Sequence, residues 1–352
     1  MNHQITTKIT NEDFFYIRNI VNRNSLSETF ALNSKKYSHE EYQYLNLIDN
    51  ILENGIWEEG RNGKTQSVFG DSMRFSLKDG KIPILTTKKV AWKTCLKELL
   101  WFIHGETDNK ILKEQDVHIW DANGSREFLD SRKLNDYEAD ELGPIYGYQW
   151  RNFNKPFFCQ SSKKIITPRM KMFGIYSKDT TLVNEYNKLD ENGIDQLQEI
   201  IDQLKNPETR NSRRLIMTAW NPCQLNQMAL PPCHILCQFN VHDDNKLSCS
   251  MYQRSIDSIC GCPFNIASYS FLTHLIAKHC GLEAYEFVYF MGNCHIYEEH
   301  IEAAKLQLTR EPYPFPTVSI KQTKENIDDY EVSDFELIDY NCHDPIKVKM
   351  VA

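Results

Sequence analysis

No apolar run in the 352 residues approaches the ~18 needed to cross a bilayer. The first 24 residues scatter Lys8, Glu12, Asp13 and Arg18 among apolar side chains. They lack both the apolar centre of a signal peptide and the acid-poor character of a transit peptide, so a cytoplasmic protein is expected. Excess positive charge is also missing. A formal net charge of −8 argues against a nucleic-acid partner, whose usual footprint is a basic face. A small anion needs only a local cluster of arginines and stays open. There is no pair of CxxC knuckles: the nearest spacings, Cys233 to Cys237 and Cys260-Gly-Cys262, have no second pair beside them. No metal is expected. The eleven cysteines, with no secretory signal, read as reduced thiols. Internal repeats and a linker rich in Gly, Ser and Pro are absent too, which favours one domain.

What is present is ordinary for a globular enzyme, with 41% hydrophobic residues, enough to bury a real core. Residues 1–37 are polar and weakly patterned and are expected to be a poorly ordered extension before a domain at 38–352. From Glu40 the spacing of Tyr44, Leu45, Ile48 and Ile51 predicts a helix that Gly55 stops. Gln66 to Leu77 alternates loosely, as a strand or hairpin would. Trp92 to Ile103 predicts a buried helix. Residues 152–190 carry Lys163, Lys164, Arg169 and Lys171 without a clean period, which suggests a loop or insertion. Ile194 to Leu204 is helical in spacing. Leu215 to Trp220, Cys233 to Val241 and Lys246 to Gln253 read as strands, and Phe264 to His279 as a long buried helix.

Several clusters carry chemistry, each with a plainer alternative. Pro231-Pro232-Cys233-His234 opens an apolar strand; the sulfur is presented at a pocket, or it is a buried structural thiol. Arg254 at the end of the next strand shares a face with Tyr252, and an arginine beside a thiol favours the thiolate a nucleophile needs. A surface salt bridge is the alternative. Arg213-Arg214 offers bidentate donors to a phosphate, or is a solvated turn. Arg61, in a glycine-flanked turn, is a further phosphate ligand. Glu98 lies between apolar helical neighbours; if buried, its raised proton affinity suits acid–base work. Asn265 either caps a helix or reads a base edge with its two-sided amide. His295 and Tyr297 share a face if extended and are placed to hold a sugar hydroxyl.

The order of these segments closely resembles the thymidylate synthase family, and most closely its eukaryotic and protozoan members. The resemblance rests on TTKK at 86–89, ELLWFIHGET at 98–107, IWDANGSREFLD at 119–130 and LGPIYGYQWR at 142–151. It continues in MALPPCHILCQF at 228–239, YQRS at 252–255, PFNIASYS at 263–270 and REPYPFP at 310–316. It implies an α+β fold, with a mixed twisted sheet packed against helices and its other face buried in a homodimer. It implies reductive methylation of dUMP to dTMP by 5,10-methylenetetrahydrofolate, without a metal.

By the same resemblance, Cys233 adds to carbon 6 of the uracil. Arg254 binds phosphate and favours the thiolate, Arg61 and Ser255 also bind phosphate, and Arg213 and Arg214 reach across from the partner subunit. Asn265 reads the uracil, with Asp257 beside it, and His295 and Tyr297 hold the deoxyribose. Glu98 and Tyr146 organise the waters that move protons, with His234 in support. Ile119, Trp120, Asp257, Gly261 and Phe264 line the folate, Lys88 lies along a polyglutamate tail, and the tail ending at Ala352 closes the site. The sequence departs from the family's pattern at Asn293, where most members carry Asp, and at Cys260 and Cys262, which replace apolar residues. Many members are fused to a dihydrofolate reductase, for which residues 1–37 are too few. A related hydroxymethylase acting on dCMP carries Asp where Asn265 stands. A non-catalytic RNA-binding regulator is the other alternative, and Cys233, Glu98 and Tyr146 count against it.

Overall fold

The computed structural model describes residues 39–60, 62–159, 164–166, 193–242, 245–349 and 351. The N-terminal extension, Arg61, Ala352 and most of the 152–190 segment therefore lie outside the described residues. Within that segment, Phe157–Cys159 pairs antiparallel with Lys164–Ile166.

The centre is a six-stranded mixed sheet. Its strands in chain order are β1 (Ile56–Gly60), β2 (Gly63–Ser76), β3 (Ile216–Thr218), β4 (His234–His242), β5 (Lys246–Asp257) and β6 (Glu283–Tyr297). They lie in the order β1-β2-β6-β5-β4-β3, and only the β5–β6 pair is parallel. A parallel pair needs a long crossover, here the helix Gly261–His279. That helix is buried on nearly all sides, so its apolar residues are spread around it, with scattered polar ones and no polar stripe.

The helices Tyr42–Asn54 and Trp92–Ile103 pack with it on the same core. The first buries Tyr44, Leu45, Leu47, Ile48 and Ile51 and stops at Gly55; the second buries Cys95, Leu96 and Leu99 to Ile103. Helix Gln196–Lys205 begins at Asp195, whose carboxylate accepts from Gln198 N–H at 2.9 Å, an N-cap.

The anticipated strands and helices are present, with shifted ends. The first sheet strand after the helix is only Ile216–Thr218, and the long helix starts at Gly261 rather than Phe264. β1, β6 and the helix Tyr146–Asn152 were not anticipated.

This topology decides where polar residues meet. Parallel β5 and β6 end at one edge of the sheet, with Asp257 opposite His295. Antiparallel β4 starts near there, with His234 opposite Gln253. The pairing skips Ile235, an extra residue between His234 and Leu236. A bulge of this kind bends the strand and re-aims its neighbours.

Candidate active site

Cys233 sits half-buried just before β4. Its carbonyl accepts from Arg254 N–H at 2.9 Å, which ties it to β5. The Arg254 guanidinium then folds back over the two prolines. Nε–H donates to the Pro232 carbonyl at 2.8 Å and Nη2–H to the Pro231 carbonyl at 3.1 Å. Prolines have no N–H of their own, so these carbonyls lie in a backbone stretch that cannot join a ladder. So held, Nη2 lies 3.8 Å from Cys233 Sγ, with the Trp220 ring 5.5 Å away on the guanidinium. A fixed cation at this range favours thiolate over thiol. Cys237, four residues on, is fully buried; its contact with Cys249 and its burial raise its pKa well above that of a free thiol.

Behind the thiol is an aromatic wall with one carboxylate in it. The Cys233 N–H donates to Tyr146 Oη at 2.7 Å. That uses an acceptor site of the phenol and leaves its own hydrogen to donate elsewhere. Tyr146 is buried, which holds its pKa well above the usual phenol value, so it acts as a neutral donor. Its ring stacks on His234 at 4.1 Å. Burial lowers the His234 pKa to about 3, so the imidazole is neutral, and Nδ1 bonds Tyr269 Oη at 2.8 Å. Trp120 meets the Tyr146 ring edge-on at 6.0 Å and donates Nε1–H to Glu98 Oε1 at 2.7 Å. Burial raises the Glu98 carboxyl to about 7, while the Trp120 bond pulls the other way. The residue keeps some exposed surface. A carboxyl poised near neutrality is suited to giving and taking protons.

The third part is the strand-end cluster. Asp257 Oδ1 accepts from Ile259 N–H at 2.8 Å and Cys260 N–H at 3.0 Å, so Asp257 turns the chain into the helix. Asn265, one turn inside that helix, does not cap it. Its half-buried amide makes no hydrogen bond among the described residues. His295 Nδ1 bonds Asn293 Oδ1 at 2.9 Å. The amide oxygen can only accept there, so Nδ1 carries the hydrogen and Nε2 is left as an acceptor. Burial lowers the His295 pKa against the opposing pull of Asp257. Tyr297 stands edge-on to His295 at 5.3 Å. Ser255 is half-buried beside Asn293 in the β5–β6 register.

The other expected residues occupy varied settings. Lys88 is buried, with its ammonium on the Ile259 carbonyl, and burial lowers its pKa. Ile119 and Phe264 pack partly buried against the core, and Gly261 is the first residue of the long helix. Arg213 and Arg214 are exposed ahead of β3, and no contact brings their side chains to Cys233 within this chain. The tail is held down by Arg310, which donates to the Asp344 carbonyl at 2.7 Å and the Thr87 carbonyl at 2.8 Å, and by His343 N–H on the Thr86 carbonyl. Sequence reasoning missed the Pro231 and Pro232 carbonyls as the cradle of Arg254, and Tyr269 as the partner of His234. It assigned Trp120 a ligand-facing role without foreseeing its bond to Glu98. All of these span more than 20 residues in sequence. The prolines were a usable signal, since two consecutive bare carbonyls invite a donor.

Residues 42–352 match the family model described as Thymidylate synthase. Among curated proteins, a bifunctional dihydrofolate reductase-thymidylate synthase of Leishmania amazonensis is 48% identical over 322 residues, covering 90% of this chain and 56% of that protein. One from Paramecium tetraurelia is 43% identical, covering all of this chain and 69% of its own length. A probable thymidylate synthase of Schizosaccharomyces pombe is 48% identical, covering 88% of this chain and 47% of that protein. The chain thus spans about half the length of most of these relatives.

Proposed function

The chain belongs to the thymidylate synthase family, and from that premise we propose that it methylates dUMP to dTMP with 5,10-methylenetetrahydrofolate. The observation that carries this reading is the Arg254 guanidinium held 3.8 Å from Cys233 Sγ by the two proline carbonyls. Cys233 Sγ bonds to carbon 6 of the uracil, and carbon 5 gains the electron density to attack a one-carbon unit. The folate supplies that unit and the hydride that completes the methyl group. Glu98, with a carboxyl near 7, and the free hydrogen of Tyr146 serve the proton transfers through the cleft. Asn265 faces the base with an unspent donor and acceptor, the pattern that uracil's carbonyl and ring N–H complement. The His295–Tyr297 pair suits the sugar hydroxyl. Arg254, Arg61 and Ser255 bind the phosphate, with Arg213 and Arg214 serving the site of a second copy. Trp120, Ile119, Gly261, Phe264 and Asp257 line the folate, Lys88 lies behind them, and the tail through Ala352 closes over it.

Support for a homodimer comes from the outer sheet face. Leu236, Tyr252, Phe290 and Ser72 form one cross-strand row. Along that face Phe290, Leu236, Ile216 and Phe69 are exposed, Phe69 by 84%. Apolar surface this continuous marks an interaction site. No helix among the described residues is long and apolar enough to cross a membrane. The ten cysteines whose side chains are described are free thiols, which suits a reducing, cytoplasmic setting.

The test is release of tritium from carbon 5 of dUMP, with the product identified. Cys233→Ser should lose at least about a thousandfold in turnover, because a serine hydroxyl is not ionised at neutral pH, and should still bind dUMP. Retained turnover in Cys233→Ser, or its loss in Cys237→Ser instead, overturns the assignment.

A further inference from the structure

At the start of the long helix, beside the strand ends, Asp257, Cys260 and His300 bring one ligand atom each to within 4.8 Å of one another. We propose that these three side chains form a binding site for a soft divalent cation, for which Zn²⁺ is the best fit.

The tautomer of His300 is the first support. The ring is 1% exposed, and Nε2 bonds the Lys349 carbonyl at 2.8 Å. A carbonyl oxygen only accepts, so the hydrogen is on Nε2 and the lone pair is on Nδ1. That Nδ1 is buried and has no hydrogen-bond partner among the described residues. A buried polar atom normally finds a partner, and one without calls for an explanation. An imidazole that donates one ring N–H to a backbone carbonyl and keeps the other nitrogen bare is also how metal-ligating histidines are held.

The carboxylate is arranged in the same way. Oδ1 of Asp257 is fixed by the N–H groups of Ile259 and Cys260, which leaves Oδ2 for a ligand. Cys260 is half-buried and supplies the soft donor. One sulfur, one imidazole nitrogen and one carboxylate oxygen make a zinc-type set with a fourth position open. A tetrahedral zinc holds such donors about 3.3–3.6 Å apart, so a cluster whose ligand atoms all lie within 4.8 Å needs only a small closure on binding.

His300 lines a cavity of about 630 Å³ between the helix Ile301–Leu308 and the tail, with Glu299 and Glu302 on its wall. The opposing charge is Lys88, whose ammonium is tied to the Ile259 carbonyl and interacts with both Cys260 and Asp257. On binding, the S–Zn bond forms as the Cys260 thiol releases its proton to solvent.

Full-length protein, reduced and stripped of metal, is titrated with Co²⁺ and then with Zn²⁺. The expected result is one Co²⁺ per chain with a thiolate-to-cobalt charge-transfer band and the ligand-field bands of a tetrahedral centre, all displaced by Zn²⁺. Cys233→Ser should keep those bands. Cys260→Leu and Cys260→Ser, each checked for native circular dichroism, should lose the charge-transfer band and weaken Zn²⁺ at least about 100-fold. Two results overturn the site: no sulfur-to-cobalt band in the parent chain at saturating Co²⁺, or a band of undiminished strength in either Cys260 variant, which would place the metal on other thiols. The spectrum does not depend on turnover, so failure here is distinguishable from failure of the proposed methylation.

Discussion

Replacing Trp120 by Phe isolates one interaction at the Glu98 carboxyl. Two opposed effects set its value of about 7: burial disfavours the charged form, and the Trp120 Nε1–H at 2.7 Å favours it. Phe keeps an aromatic ring against Tyr146 and Trp101 and deletes the donor. A hydrogen bond to a charged group contributes about 1.5–3 kcal/mol. At about 1.36 kcal/mol per pH unit, its loss should move the carboxyl upward by about one to two pH units. The sign follows because only the ionised form loses its partner. At pH 7 the ionised fraction then falls from about one half to about one tenth or less. The assay is infrared difference spectroscopy across pH, reading the protonated-carboxyl band that disappears in Glu98→Gln. Under the proposed function, the pH limb of kcat assigned to Glu98 should move by the same amount. A midpoint that stays put, or moves to lower pH, refutes the reasoning. It would mean that the indole is not holding the carboxylate, or that water admitted by the smaller ring replaces it fully.

Two further outcomes follow from the same geometry. Glu41 is fully buried, and its carboxylate accepts from the backbone N–H and hydroxyl groups of both Thr86 and Thr87 at 2.7–3.0 Å. Glu41→Ala strands three donors, since the Thr86 hydroxyl can still donate to the Tyr313 carbonyl, and should reduce unfolding free energy by more than about 3 kcal/mol in urea titration; a loss under about 1 kcal/mol would contradict the count. Arg213 and Arg214, if they serve a second copy, predict complementation: Cys233→Ser and Arg213→Glu/Arg214→Glu chains, each inactive alone, should regain about a quarter of parental activity when mixed at random. A verified mixed dimer with no activity would place those arginines outside a shared site.

Local order was legible wherever one segment decides its own fate. Trp92 to Ile103 has a helical apolar pattern with no Gly or Pro to break it, and the structure keeps those bounds. β6 was not legible as a strand. It is flanked on both sides in the sheet and mostly buried, so its residues show no clean alternation, and Gly292 interrupts the pattern. That glycine has a tertiary reason: a Cβ there would lie 2.6 Å from the Arg254 carbonyl oxygen. Nothing local announces such an approach. Asp257 has a local use that the sequence reading did not include: one of its oxygens turns the backbone into the helix, a role that Asp two and three residues before free N–H groups often takes. Asn293 was visible only as a departure from the family's pattern; the structure supplies its use, as the acceptor that fixes the tautomer of His295.

The spacing of the chemical residues also has a topological cause. Cys233 and Arg254 are 21 apart because an antiparallel β4–β5 hairpin must run out and return to bring its two ends together. Arg254 and Asn265 are close in sequence because the strand passes directly into the crossover helix. Asp257 and His295 are far apart in sequence because a parallel neighbour can be reached only through that helix and the full length of β6. One hairpin and one crossover thus collect a thiol, a guanidinium, an amide and an imidazole at a single edge of the sheet. Two reacting groups on one hairpin stay in register even if the loops around them shift. Changes at the far hairpin end, near Val241 and Lys246, are therefore tolerated so long as the pairing holds. An insertion of one residue inside the paired stretch of β4 or β5 is different, because it slides the thiol out of reach of its cation.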